Sequence, residues 1–508
     1  MKKLLLGVLL AFSLGAGIAA AEEGTVEING DYRFRYDFLK GQVHDHVLYD
    51  PNAIANGTGI TVPNYPMAGA STTFNGRPVA GYSPTNDVLM TNRFGLNIRA
   101  VPLEDVSVKA RLVMYKVFGH ETMTPVQGSF FGDRALGPMD GTVGHVPMDN
   151  VLRVDYAYST WSNVGGAPVW FSVGRRPSAG GIPGNIRQNG EKQGTAGIPN
   201  LLVDYAFDGM TVGYAPDIEI LPGAYAKLCY GKGFDSGFNS SSNTNPIKDT
   251  DFLGVNVAAY DTEKLHVELQ WQKGWNIFNA PGDGMNSRVD MGGGNFVTVN
   301  TPVSANLGDI EWIGGVVTSK LENLNLFFSA AQSKTKPNDN LFSLPFFSVN
   351  GGPVMNGGFG LLYDDCDPTT PGGQCQESRT GTAIYIGGRY DITSTGTKIG
   401  AEYNQGSKYW MGFVPAGDDM WTSKLGTRGK VYEIYVIQEL PNKKLMKKGQ
   451  AFVRLGYQLY KFDYTGSNSW IGAPKKISDL NTMDPSGTQM FSPLEEAKDI
   501  YLAFEVRF

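Results

Sequence analysis

The side chains best suited to chemistry in this 508-residue chain are charged groups repeated at a spacing of two. Near the start, Glu27, Asp31, Arg33, Arg35 and Asp37 take odd positions, while Val26, Ile28, Tyr32, Phe34, Tyr36 and Phe38 take even ones. A spacing of two puts one set on one face of a β-strand and the other set on the opposite face. The charged face can then be wet while the apolar face is dry. Fixed charges along such a face work through their field: they order water and favour one sign of ion. Covalent chemistry has little support, because neither G-x-S-x-G nor H-E-x-x-H occurs. His120 with Asp133, or His44 with Asp50, could be drawn into an Asp–His site, but no enzyme is expected. His44 and His46 read as solvated loop residues, His266 as a solvated neighbour of Glu268, and Asp364, Asp365 and Asp367 lack the spacing of a Ca²⁺ loop. No metal site and no cofactor are expected, and the absence of C-x-x-C-H excludes covalent haem.

These charges need long strands to position them. From Val26 to Phe38 thirteen residues alternate without a break, and about 9–11 tilted residues cross a bilayer core. The C-terminus repeats the pattern, with Ile500, Leu502, Phe504, Val506 and Phe508 on one face and Tyr501, Ala503, Glu505 and Arg507 on the other. Similar segments lie at 25–38, 87–101, 106–118, 149–162, 168–176, 201–215, 223–232, 251–261, 265–275, 309–319, 324–333, 381–392, 396–409, 430–440, 450–465 and 498–508. Their connections alternate between short and long, as the periplasmic turns and external loops of a bacterial barrel do. The expectation is an all-β, transmembrane antiparallel β-barrel of 16 strands. One place tests the count: Asp208-Gly209 reads either as a two-residue hairpin, which with one more hairpin gives 18 strands, or as a β-bulge where the apolar stripe changes phase from Val203, Tyr205, Phe207 to Met210, Val212, Tyr214. The bulge keeps the even count and is preferred.

Composition agrees. Gly (65), Tyr (24) and Phe (27) are abundant and only 18% of residues are charged. The formal net charge of −6 argues against nucleic acid as a partner. Residues 1–21 read as a signal peptide, with Lys2 and Lys3, an apolar run and Ala19-Ala20-Ala21 at the cleavage site; residues 22–508 form a single barrel domain. Cys366 and Cys375 enclose a turn-rich stretch and are a plausible disulfide in an oxidising compartment, which leaves Cys229 unpaired.

The terminal Y-L-A-F-E-V-R-F, with Tyr501, Phe504 and Phe508, resembles the last strand of Gram-negative outer-membrane barrels, where it signals to the insertion machinery. The segment V-G-R-R-P-S-A-G-G-I-P-G at 173–184 is similar to the end of the fifth strand of bacterial general porins of the 16-stranded type. The chain looks most like the large putative porins of anaerobic Gram-negative bacteria. The resemblance implies an outer-membrane location with both termini periplasmic, contact with outer-membrane lipid, a homotrimer, and a third long loop, 177–200, that folds inward as a constriction. Arg175, Arg176, Arg187 and Glu191 are its candidate constriction residues, although the usual acidic signature of that loop is missing.

If the apolar stripe faces lipid, the other lines water. On the first five strands it carries Arg33, Arg35, Arg93, Arg99, Lys109, Arg111, Arg153 and Arg176 against Glu27, Asp31, Asp37 and Asp155. On the other eleven it carries Lys227, Arg389, Lys398, Arg454 and Arg507 against Asp204, Glu268, Glu311, Asp391, Glu402, Glu433, Glu439, Asp499 and Glu505. One wall is thus basic and the facing wall acidic. The expected function is passive diffusion of ions and small hydrophilic solutes. The alternative is a sleeve around a multihaem cytochrome, which an inward third loop would obstruct. A receptor or adhesin using the long loops is compatible with a porin.

Overall fold

The computed structural model describes residues 24–64, 67–119, 144–178, 180–190, 197–236, 248–278, 286–290, 296–300, 305–338, 340–362, 377–414, 418–441 and 449–508. The signal peptide, the Cys366–Cys375 pair, His120, Asp133, the 364–367 aspartates and Glu191 lie outside them. Within them, sixteen antiparallel strands close into a barrel in sequence order. They are β1 (Thr25–Val43), β2 (Thr85–Leu103), β3 (Val106–Val117), β4 (Arg153–Trp161), β5 (Val169–Pro177), β6 (Ala206–Tyr214), β7 (Tyr225–Phe234), β8 (Thr250–Asp261), β9 (Leu265–Phe278), β10 (Asn306–Leu321), β11 (Leu324–Pro337), β12 (Thr380–Ile392), β13 (Thr397–Gly406), β14 (Gly429–Glu439), β15 (Gln450–Phe462) and β16 (Leu494–Arg507). β16 pairs with β1 from Asp31–Arg507 to Val43–Leu494 and closes the cylinder.

Each expected strand has its counterpart, and the eighteen-strand count is set aside. Short turns, the start of β1 and the end of β16 share one rim (the turn rim), and the long connections share the other (the loop rim). The long first and sixth loops meet outside the barrel in a small sheet of Ile60–Pro63, Ser71–Phe74, Phe342–Val349 and Met355–Phe359. Outward positions are apolar and exposed: Val26, Ile28, Tyr32, Ile500, Leu502, Phe504 and Phe508 all stand on that face. This is the lipid-facing side of a transmembrane barrel.

Two expected segments differ. Residues 201–205 are not strand, and β6 begins at Ala206 with an unbroken register to β5 and β7, so no bulge lies at Asp208-Gly209. Leu201, Leu202 and Val203 instead turn into the barrel and are buried, and Phe207 faces inward. The apparent phase change has a simple cause: Val203, Tyr205 and Phe207 pack on protein inside the barrel, whereas Met210, Val212 and Tyr214 face lipid. On β10 the same thing occurs. Ile310 and Trp312 are turned inward and fully buried, which puts Glu311 on the outward face.

Those inward apolar residues belong to a core inside the cylinder. It joins Ile198 and Leu201–Tyr205 of the third loop and Trp410, Met411, Phe413 and Val414 of the seventh to Phe252, Trp312, Phe327 and Tyr385 on the wall. Phe413 stands at its centre, 4.9 Å from Tyr205 and 5.1 Å from Phe252 between ring centroids. A second cluster seats Met420 and Trp421 of the seventh loop on Leu39, Leu89, Tyr115 and Tyr460. The lumen is therefore a packed interior over much of its section, built as a soluble core is built.

Candidate functional site

Among the loops that join the core inside the barrel, to which Leu361 and Leu362 of the sixth and Trp470 of the eighth also belong, two carry buried charges. The third, 178–205, carries the single helical turn α1 (Gly184–Arg187), and the seventh, 407–428, carries Asp418, Asp419 and Lys424. Three wall arginines hold the end of α1. Arg389 (β12) donates to the Ile186 carbonyl at 2.5 Å, and Arg454 (β15) donates to that of Arg187 at 2.7 Å. Arg507 (β16) donates to the carbonyls of Gln188 at 2.6 Å and Asn189 at 2.7 Å. These are the acceptors a helical turn leaves open at its C-terminal end, and cations there are favourable. Asn189 also accepts from Lys398 at 2.6 Å and donates to Glu439 at 3.1 Å. Lys398, Glu439 and Arg507 all sit where their strands meet the turn rim, so the third loop crosses most of the lumen's depth.

The seventh loop links β1 and β2 to β13 and β14, with only β15 and β16 between them in the ring. Asp418 pairs with Arg33 on β1 in a two-pronged contact and lies 3.7 Å from Arg93 on β2. Its own carbonyl accepts from Arg35 at 3.2 Å. Burial would raise the Asp418 carboxyl, but the charges of Arg33, Arg93 and Arg35 override that and hold it well below the usual carboxylate range. One residue on, Asp419 accepts from Arg187 at 2.8 Å, from the Lys424 backbone at 3.0 Å and from Gln458 at 2.9 Å. On the acidic wall, Glu433 takes Arg187 at 3.1 Å, Lys424 at 2.6 Å and the Tyr501 hydroxyl at 2.6 Å. Lys424 also pairs with Glu402, which accepts from the Tyr385 hydroxyl. Tyr501 reaches Glu433 by lying across Gly456 of the next strand, where a Cβ would meet its ring at 2.3 Å.

The wall asymmetry read in the sequence thus has a use. The basic wall receives an aspartate from the seventh loop. The acidic wall receives Arg187 from the third and Lys424 from the seventh. Buried charges must be paired in this way or lose several kcal/mol.

The remaining charged positions sort by environment. Arg35 binds Asp37 at 2.6 Å and Asp499 at 2.9 Å, all three buried. Arg111 bridges Asp31 at 2.6 Å and Asp155 at 3.3 Å, Arg153 is held by Asp149 at 2.6 Å, and Glu505 takes Arg507 at 2.7 Å. Arg99 pairs with Glu27 at 3.2 Å with 41% of its side chain exposed, and Lys109 stands opposite it in register without a carboxylate partner among the described residues. Glu268 is buried and accepts from Asn256 at 2.6 Å. His266 is not solvated as expected: it is buried between Asp261 at 2.8 Å and Glu268 at 2.9 Å. His46 is likewise buried, with Nδ1 on the His44 carbonyl at 2.8 Å. Glu311 is not in the lumen; it accepts from Trp271 Nε1 on the outward face.

Of the four constriction candidates, Arg187 lies where the third and seventh loops meet the acidic wall. Arg176 faces inward elsewhere, its guanidinium 5.3 Å over the Tyr158 ring. Arg175 shares its register positions with the exposed Ala157 and Asp208, opposite Arg176, so it joins neither group. Asp418, Asp419 and Lys424 are absent from the sequence-based set. The G-D-D at 417–419 and the tryptophans Trp410 and Trp421 were the available signal: an external loop has no need of two tryptophans unless it packs on something.

The architecture defines a class, the sixteen-stranded transmembrane barrels with a lumen narrowed by inward loops. Within it, residues 83–508 match the family described as "Protein of unknown function (DUF3373)", and the chain belongs to that family. No curated protein matches it. Among solved structures it is similar to in-vitro folded OmpT, an outer membrane protein of Vibrio cholerae, with 11% identity and a TM-score of 0.41, covering 97% of this chain and 100% of that one. It is similar to the anion-selective porin from Comamonas acidovorans, with 11% identity and a TM-score of 0.41, covering 96% and 100%. It is also similar to Salmonella typhi OmpF in complex with daunomycin, with 10% identity and a TM-score of 0.39, covering 95% and 98%.

Proposed function

We propose that this protein is an outer-membrane diffusion pore of narrow bore with anion preference, passing ions and small hydrophilic solutes. The observation that carries the reading is the closed barrel with a charged inward face whose lumen is narrowed, by ion pairing, with the chain's own third and seventh loops. The anion preference rests on the basic wall: Asp418 serves Arg33 and Arg93, while Arg99, paired with Glu27 but 41% exposed, and Lys109 lie toward the turn rim. Sixteen strands enclose a channel, and two packed loops take up much of it. The same packing leaves little room for a guest protein and sets the cytochrome sleeve aside. The turn rim is taken as periplasmic, Tyr501, Phe504 and Phe508 as the insertion signal, and the assembly as a homotrimer.

Single-channel recording of the refolded protein in a planar bilayer under a salt gradient tests this. Small, stable steps with a zero-current potential of anion sign are expected. Silence from a correctly folded barrel, or a cation-selective potential, would overturn it.

A further inference from the structure

The outward face of the barrel carries charged side chains next to the loop rim, and their pairing changes around the ring. From β6 to β11 facing partners are unlike: Asp208 stands opposite Lys232, Lys232 opposite Asp251, and Glu311 opposite both Lys273 and Lys334. From β14 through β15 and β16 to β1 facing partners are alike. Lys430 stands opposite Lys461, and Lys498 opposite Lys40. Like charges directly across a strand pair repel, and these four strands are consecutive in the ring. One acid is set among the lysines: Glu496, opposite Lys461, takes Lys498 at 2.6 Å. Glu495 goes to His44, and among the described residues neither Asp87 nor Asp463, at the edges of the group, forms an ion pair. Lys40, Lys430 and Lys461 likewise form none among the described residues.

One step toward the turn rim the same strands turn apolar and aromatic on their outward face, with Phe38, Ile500, Leu459 and Tyr432. Tyr403 on β13 adds its ring 5.1 Å from that of Tyr432. A positive band thus lies over a dry one. A soluble anion would neutralise the first and leave the second bare, whereas a lipid with an anionic head covers both, as basic clusters beside a membrane do. The four strands spread the two lysine pairs over three strand spacings, about 14 Å. A head with one phosphate reaches one pair; a head of linked sugars with a phosphate at each end reaches both. We propose that the outward arc of β14, β15, β16 and β1 binds a phosphorylated glycolipid of the outer leaflet, lipid A in its chemistry. One phosphate lies on Lys40 and Lys498, the other on Lys430 and Lys461, and the acyl chains run along the apolar row. This inference rests on the reading of the barrel as an outer-membrane protein with its loop rim outside.

The test counts bound lipid by native mass spectrometry of the refolded protein in dodecyl maltoside, with diphosphoryl lipid A added at rising mole fraction. Saturable binding of a single molecule per barrel is expected. The combined change Lys40→Gln, Lys430→Gln and Lys461→Gln should weaken it roughly tenfold or more. Lys273→Gln with Lys334→Gln, taken from the arc of unlike pairs, should leave it unchanged. Because the triple change removes repulsion, the heat-induced gel shift of the lipid-free barrel should come at the same temperature as in the parent or a higher one, which separates lost binding from lost folding. Should the triple variant not fold, Lys40→Gln with Lys430→Gln takes one lysine from each pair. Equal weakening by the control pair of changes, equal binding of phosphatidylglycerol, or displacement by excess inorganic phosphate would overturn the site. Binding is read in detergent and conduction in a bilayer, so a barrel that binds without conducting, or the reverse, tells this inference from the pore reading.

Discussion

Arg187 of the third loop and Asp419 of the seventh, separated by 232 positions in the sequence, meet at 2.8 Å inside the barrel, both nearly inaccessible to solvent. Glu433 on the wall stands within reach of Arg187 and Lys424, so two loops and one strand share a single buried charge cluster. Removing Arg187 takes away the cation that Asp419 and Glu433 share and leaves Glu433 with Lys424.

Arg187→Ala should therefore undock the loops. Breaking a buried pair costs about 3–5 kcal/mol, enough to populate an open lumen, so single-channel conductance should rise severalfold. Arg175→Ala is the control: its register puts it on the opposite face from the cluster's strand neighbours, and conductance should be unchanged. An equal effect of the two changes would contradict the placement.

The Asp418 contact sets a pH limit. Its carboxyl is held well below the ordinary value of 3.8, so its folded-state value is depressed. The stability it contributes is then full above that ordinary value and is lost only as pH falls through the lower, folded value. Conductance should be the same at pH 7, 5 and 4. Asp418→Asn should give larger steps already at pH 7. An opening transition between pH 4 and 6 in the parent would rule Asp418 out as the latch.

Lys109 faces Arg99 across β2 and β3 and forms no ion pair with a carboxylate among the described residues. Reversing its charge with Lys109→Glu should pair it with Arg99 and weaken anion preference, moving the zero-current potential toward the cation sign. A potential unmoved by this change would locate the selecting charges elsewhere on the wall.

Trp312 is 1% exposed and packs on Phe413 of the seventh loop, with ring centroids 6.2 Å apart. Trp312→Ala should cost about 3–5 kcal/mol, read as a lower midpoint in the heat-induced gel shift and as larger, noisier conductance steps. Ile313→Ala, one residue on and facing lipid, should do neither.

The strands were legible because alternation is local: Val26 to Phe38 announces its own period, and so does Ile500 to Phe508. The face an apolar stripe chooses is not local. Val203, Tyr205, Phe207, Ile310 and Trp312 looked like lipid-facing residues because a packed loop and a lipid tail are equally apolar. Only the presence of Phe413 inside the barrel separates them, and that is a contact across more than a hundred residues. The charges were legible as two unlike sets of strands, and Arg187 as one of four candidates on the third loop. Asp418, Asp419 and Lys424 were not, since a charged external loop reads as solvated until something shows that it turns inward.

The seat of α1 also dictates an order of events. The carbonyls of its last two residues and of the two that follow, Ile186 to Asn189, are gripped from β12, β15 and β16, and the final grip comes from Arg507, the penultimate residue of the chain, on the strand that closes against β1. A loop synthesised in the first half of the polypeptide cannot settle until the last strand has arrived. Full seating of the third loop, and with it the narrowing of the bore, therefore requires the closing strand in place.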